Sequence, residues 1–220
     1  MDFFRIITNY IDLYWEGLAC TLQLTLLSLL VAFGGAALLV FCKLSKVKVL
    51  DRFAGFYISF FRGIPLVVQL FLVYFGIAKL TDNSICFTGA QAGVITFGLN
   101  SAAYLAESLR GGIEGIDKGQ IEAAKALGCR YFHILLFIIL PQAIRVVFPS
   151  MINTTIKLIK DSSIISQIGV AELFHAGYYT MSETFKTFEA LIICMLFYLG
   201  IVIVLTLLSN YVEKRLATAY

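Results

Sequence analysis

Apolar residues run along this chain in long blocks, without the short periodic stripes of a surface helix or a half-buried strand. From Leu18 to Phe41 there is no charged residue. A helix needs about 20 consecutive apolar residues to cross the hydrocarbon of a bilayer. Three blocks reach that length directly, at about residues 18–41, 83–108 and 188–212. Two more, at about 53–78 and 134–160, are interrupted. The first holds Arg62 with Pro65 beside it, and the second holds Arg145 between Pro141 and Pro149. Proline removes a backbone donor and clashes with the preceding turn, so both interrupted segments are expected to kink or break. Broken helices survive in a membrane where they face a cavity or other protein. The pattern predicts an all-α integral membrane protein of five spanning helices in a single domain, residues 1–220.

The polar connections add direction. Lys43, Lys46, Lys48 and Arg52 follow the first span, Arg110, Lys118, Lys125 and Arg130 follow the third, and Lys214 and Arg215 follow the fifth. The opposite side carries only Arg5, Lys79 and Lys186. Basic residues mark the cytoplasmic side, so the C-terminus is expected in the cytoplasm and the N-terminus outside. The third connection, about residues 111–133, is framed by glycines around a run of good helix formers, Gln120–Leu127. It predicts a short helix on the cytoplasmic face, ended by Gly128. A second short helix, Arg130–Leu140, leads into the fourth span.

Composition agrees with lipid as the solvent: 60% of residues are hydrophobic and 14% charged, against roughly 25% charged in an ordinary soluble domain. The net charge of +3 is too small to point to nucleic acid. The five cysteines show no C-x-x-C pair, and the two histidines, His133 and His175, form no metal motif. There is no G-x-S-x-G and no intramembrane-protease signature, which argues against an enzyme. No G-x-x-x-x-G-K-[ST] is present to cradle ATP. A passive channel would fit the spans equally well.

One motif separates these readings. Glu122-Ala123-Ala124, three residues, Gly128, nine residues, then Ile138-x-Leu140-Pro141 resembles the EAA loop of ATP-binding-cassette (ABC) importer permeases in every fixed position. Phe61-Arg62-Gly63-Ile64-Pro65-Leu66 with Gln69-Leu70 is similar to a stretch of the polar amino-acid branch, with Ile64 in place of a more usual threonine. Asn100–Glu107 and Lys160-Asp161-Ser162-Ser163 resemble the same branch. The resemblance covers about residues 15–215. It implies a type I importer fold in a bacterial plasma membrane. The implied partners are a second permease subunit, the same or paralogous, two ATPase subunits that bind the ATP and magnesium, and an extracellular substrate-binding protein. No cofactor is expected in this chain. Residues 116–120 and 170–174 lean toward cystine permeases, with glutamine, histidine, arginine and glutamate as chemical alternatives.

Candidate residues follow. Gln120, Glu122, Ala123, Ala124, Lys125, Leu127 and Gly128 are expected to couple to the ATPase, with Glu122 and Lys125 pairing and Ala123, Ala124 and Leu127 seating in a groove. Asn100, Tyr104 and Glu107 fall at i, i+4 and i+7 on one helix face. With Gly63, Pro65, Gln69, Lys160, Asp161, Ser162 and Ser163 they are the candidate substrate path, since polar groups inside spans are costly and so point to function. Structural alternatives stand beside each: Asp161 can pair with Lys157, Glu107 with Arg110, Asn100 can bond between helices, and Arg62 can snorkel.

Overall fold

The computed structural model describes residues 3–45 and 47–217. Lys46, one of the basic loop residues above, lies outside them. Every regular element among the described residues is helical: α1 (Phe3–Leu44), α2 (Lys48–Gly63), α3 (Leu66–Leu80), α4 (Gly89–Glu114), α5 (Lys118–Ala126), α6 (Tyr131–Ile168), α7 (Leu173–Thr184) and α8 (Thr187–Ala217).

Polarity is inverted relative to a water-soluble bundle. Thr21, Thr25, Ser28, Asn100 and Ser101 are buried, while Leu26, Leu30, Leu38 and Phe41 of α1 and Val204 and Leu207 of α8 face outward. Lipid competes poorly for hydroxyls and amides, so polar groups turn inward and leucines outward. The centre is the α1–α4 pair, which approaches through small side chains. A Cβ added at Gly35 would lie 2.8 Å from Ala102 Cβ, and one at Gly98 would lie 2.6 Å from Val31. Four apolar clusters join α1, α2 and α4; α1, α7 and α8; α1, α3, α4 and α6; and α5 with α6.

The helices depart from the sequence expectations in three places and meet them in one. α1 begins at Phe3 and runs 42 residues, about 63 Å at 1.5 Å per residue, so it reaches well beyond the 18–41 block. The segment at 53–78 is broken as expected, with α2 and α3 meeting at 106° around Ile64-Pro65. The segment at 134–160 is not broken: α6 runs through Pro149, and a wide π turn at Leu135–Ile139 precedes Pro141. The π turn makes room for the proline ring and for the hydrogen bond it cannot make. The third block starts late. Thr88 and Gln91 form a capping box that opens α4 at Gly89, and Asp82 and Asn83 turn the chain with positive φ before it.

By length and apolar content α1, α6 and α8 suffice to cross a membrane, and the bent α2–α3 pair passes the same test when its two helices are taken together. α4 has 26 residues but carries glycine, alanine, serine, threonine and asparagine at its packed positions. It is wrapped by protein and needs little lipid-compatible surface. α7, unforeseen in sequence, fills the space between α1 and α8.

Candidate functional site

Three groupings carry the polar chemistry of the chain. The first is the break between α2 and α3. Proline at 65 frees backbone carbonyls, and Gln69 takes them: its amide donates to Phe61 O at 2.9 Å and Ile64 O at 2.8 Å. Asn100 Nδ2 donates to the same Phe61 O at 2.8 Å and lies 3.3 Å from Gln69 Oε1. Both side chains are buried. Their polar groups are thus committed to stapling the break onto α4 and are turned away from any open path. Gly63 and Pro65 are exposed at the break.

The second grouping lies where α1 ends, α2 begins and α4 ends. Tyr104 stands at its head, with the Arg62 guanidinium 5.4 Å and the Lys157 ammonium 4.0 Å from its ring centroid. Both contacts are cation–π in character. Lys157 is therefore drawn to Tyr104 and makes no ion pair with Asp161. Glu107 is clamped by Arg110, which also binds Glu114. Lys43 bonds Asp51 at 2.8 Å. Lys43, Asp51, Arg62, Glu107, Arg110 and Glu114 line a cavity of about 350 Å³ with Gly55, Ile58 and Ser59. Ser108 and Ser150 share a 2.7 Å bond that ties α4 to α6 beside it.

The end of α6 does not converge on that cavity. Lys160 and Ser163 line a separate one, with Phe174, Met195, Tyr198, Leu199 and Val202. Ser162 and Ser163 turn their hydroxyls back onto Ile159 O and Lys160 O, which tightens the 3-10 turn that closes the helix. Asp161 is half-buried between Lys157 and Lys160. The candidate path residues thus fall into three places: the break, the charged cavity, and the α6 terminus.

Beneath that terminus sits a residue that sequence reasoning missed. Glu172 is fully buried. It caps α7 by accepting from Phe174 N at 2.9 Å and His175 N at 2.8 Å, and Tyr198 Oη of α8 donates to it at 3.0 Å. Leu173 N donates to Thr21 Oγ1 of α1 at 3.2 Å. Burial pushes the Glu172 carboxyl above the usual glutamate range, against the pull of the hydrogen bonds donated to it. Its only sequence signal was an acidic residue directly before a run of helix-compatible residues.

The third grouping is α5. Asp117 caps it through Gly119 N at 2.8 Å. Gly128 N bonds Lys125 O and Cys129 N bonds Ala124 O, with Gly128 at φ 77, which is a Schellman ending at the position expected for glycine. Glu122, Ala123, Lys125 and Leu127 are exposed, Leu127 by 85%. Ala124 is not: it packs against Ile116, Ile134, Ile139 and Ala143. The expectation that it seats in a partner's groove is corrected, because at helical spacing it falls on the face that anchors α5 to α6. Gln120 is also held within the chain, accepting from Gln142 Nε2 at 2.7 Å. Arg145 lines the hollow beside that bond with Phe137, Pro141 and Gln142.

A bundle with polar residues inside and long apolar helices facing outward defines a membrane-embedded protein. Residues 25–218 match the family described as the binding-protein-dependent transport system inner membrane component, and the chain belongs to that family. It is 42% identical over 91% of both chains to the putative glutamine transport system permease protein GlnP of Rickettsia typhi. It is 40% identical, with the same coverage, to the arginine transport system permease protein ArtQ of Bacillus subtilis. A solved amino acid ABC transporter with histidines superposes with a TM-score of 0.91 at 34% identity, covering 98% of this chain and 99% of that one.

Proposed function

We propose that this chain is the permease subunit of an ABC importer that carries a polar amino acid into a bacterial cell across the plasma membrane. It spans that membrane five times, with its N-terminus outside and its C-terminus in the cytoplasm. Energy comes from ATP hydrolysis in two partner ATPase subunits, and substrate comes from an extracellular binding protein. A second permease subunit, identical or paralogous, completes the pore. The carrying observation is the outward face of α5: Glu122, Ala123, Lys125 and Leu127 stand exposed on a helix locked at both ends and anchored by Ala124. Such a rigid lever can pass a partner's movement directly to α6, which rocks the spans between inward-open and outward-open states. Relatives named for glutamine and arginine transport support a polar amino acid as cargo; cystine is the competing cargo.

The test is uptake by vesicles holding the assembled complex and its binding protein, supplied with labelled glutamine, arginine and cystine. ATP-dependent accumulation of one of them is expected. Uptake that persists without ATP overturns the reading in favour of a passive channel.

A further inference from the structure

The charged cavity between α1, α2 and α4 has a composition that the coupling mechanism does not use. Its lining contains three cations, Lys43, Arg62 and Arg110, and three carboxylates, Asp51, Glu107 and Glu114. On α2 the residues Asp51, Gly55, Ser59 and Arg62 recur at i, i+4, i+8 and i+11, a continuous polar face. Phe53, Phe56 and Phe60 form the opposite, exposed apolar face. On α4 the residues Tyr104, Glu107, Arg110 and Glu114 make a matching stripe. The ion pairs at these helix ends join groups that are partly exposed, which leaves polar surface for water or a polar ligand.

The pairing is uneven in an informative way. Lys43 is matched by Asp51, and Arg110 is shared by Glu107 and Glu114. Arg62 stands over the ring of Tyr104, and its charge reaches Glu107 without a direct ion pair between them. The cavity therefore offers an unfilled carboxylate receptor at Arg62, and an excess negative charge on the Glu107–Arg110–Glu114 group some residues away. A lone anion or a lone cation gains no net attraction from a neutral lining. An α-amino acid, which carries its carboxylate and its ammonium side by side on one carbon, brings both charges to the cavity at once. The volume of about 350 Å³ lies within the ~300–1,000 Å³ range of small-ligand sites.

We propose that this groove is the cytoplasmic release site for the transported amino acid, where the α-carboxylate meets Arg62 and the α-ammonium meets the Glu107–Glu114 pair before the zwitterion enters the cytosol. The proposal rests on the reading of the chain as an amino-acid permease.

The experiment places a cysteine at Ser59 (Ser59→Cys) in the assembled complex, in inside-out vesicles without nucleotide. A charged, membrane-impermeant thiol reagent is added and its attachment is read at that peptide by mass. Gly55→Cys is a second probe, because a Cβ there meets only the flexible end of Lys43, at 3.1 Å. Phe56→Cys, on the apolar face, is the control. The expected result is labelling at positions 59 and 55 but not at 56. L-Glutamine or L-arginine at about four times its dissociation constant slows that labelling about fivefold by mass action, and uncharged propionamide does not. Labelling without protection, or no labelling at either position in a complex that still transports, overturns the groove and leaves the proposed function standing. A complex that transports no amino acid overturns both.

Discussion

Replacing Glu172 by alanine removes, in one step, the acceptor for two α7 backbone donors and for Tyr198. Buried donors left without partners cost about 1–3 kcal/mol, so Glu172→Ala is expected to lower the thermal midpoint of the purified complex. Tyr198→Phe, which leaves the cap intact, is expected to lower it less, and equal effects would show that the cap contributes nothing. Gln69→Leu is expected to cost a similar amount, since Ile64 O loses its donor while Phe61 O keeps Asn100. The candidate path residues were legible as polar positions within spans. Their roles were not, because a side-chain amide reads the same in sequence whether it faces a ligand or a freed carbonyl. Asn100 took the interhelical bond that was its structural alternative, and Glu107 took Arg110. Asp161 did not take Lys157, because an aromatic ring nearer to hand stabilised that ammonium.

Packing between elements gives a sharper contrast on α1. An added Cβ at Gly34 meets nothing within 4 Å, whereas one at Gly35 meets Ala102 at 2.8 Å. Gly35→Ala is expected to force α1 from α4 at a cost of about 1–3 kcal/mol. Gly34→Ala is expected to be neutral, or to stabilise by up to about 1 kcal/mol through helix propensity. The order of the two melting midpoints checks this. At the end of α5, Gly128→Ala places a side chain at φ 77, costing about 1–2 kcal/mol. Uptake is expected to fall more than stability, as the lever loses its stop. The ending of α5 and the break at Pro65 were readable, since glycine and proline act locally. The continuity of α6 was not: a proline within a span ends a helix or bends into it, according to whether neighbouring turns can widen.

For the whole molecule, the exposed face of α5 sets the expectation. Leu127→Asp leaves the chain's own core untouched, so its thermal stability is expected to match the parent. Copurified ATPase and ATP-driven uptake are expected to fall together by about tenfold or more, which corresponds to roughly 1.4 kcal/mol of docking energy per factor of ten. A loss of uptake with full ATPase retention would move the contact elsewhere on the chain.

The sequence by itself determined the solvent, the class of the chain and the short helix α5 with its glycine ending. Apolar block length, basic residues between blocks and a glycine at a fixed distance from Glu122 are properties of neighbours in the chain, and neighbours are what a sequence displays. Tertiary structure decided the angle between α2 and α3, the inward turn of Ala124, the burial of Glu172 and the charged groove beneath Tyr104. Each of these depends on residues far apart in the chain, such as Phe61 with Asn100, Ala124 with Ala143, Glu172 with Tyr198 and Arg62 with Tyr104. In a bilayer no water remains to satisfy a polar group, so its position is set by whichever distant partner the folded chain brings within reach.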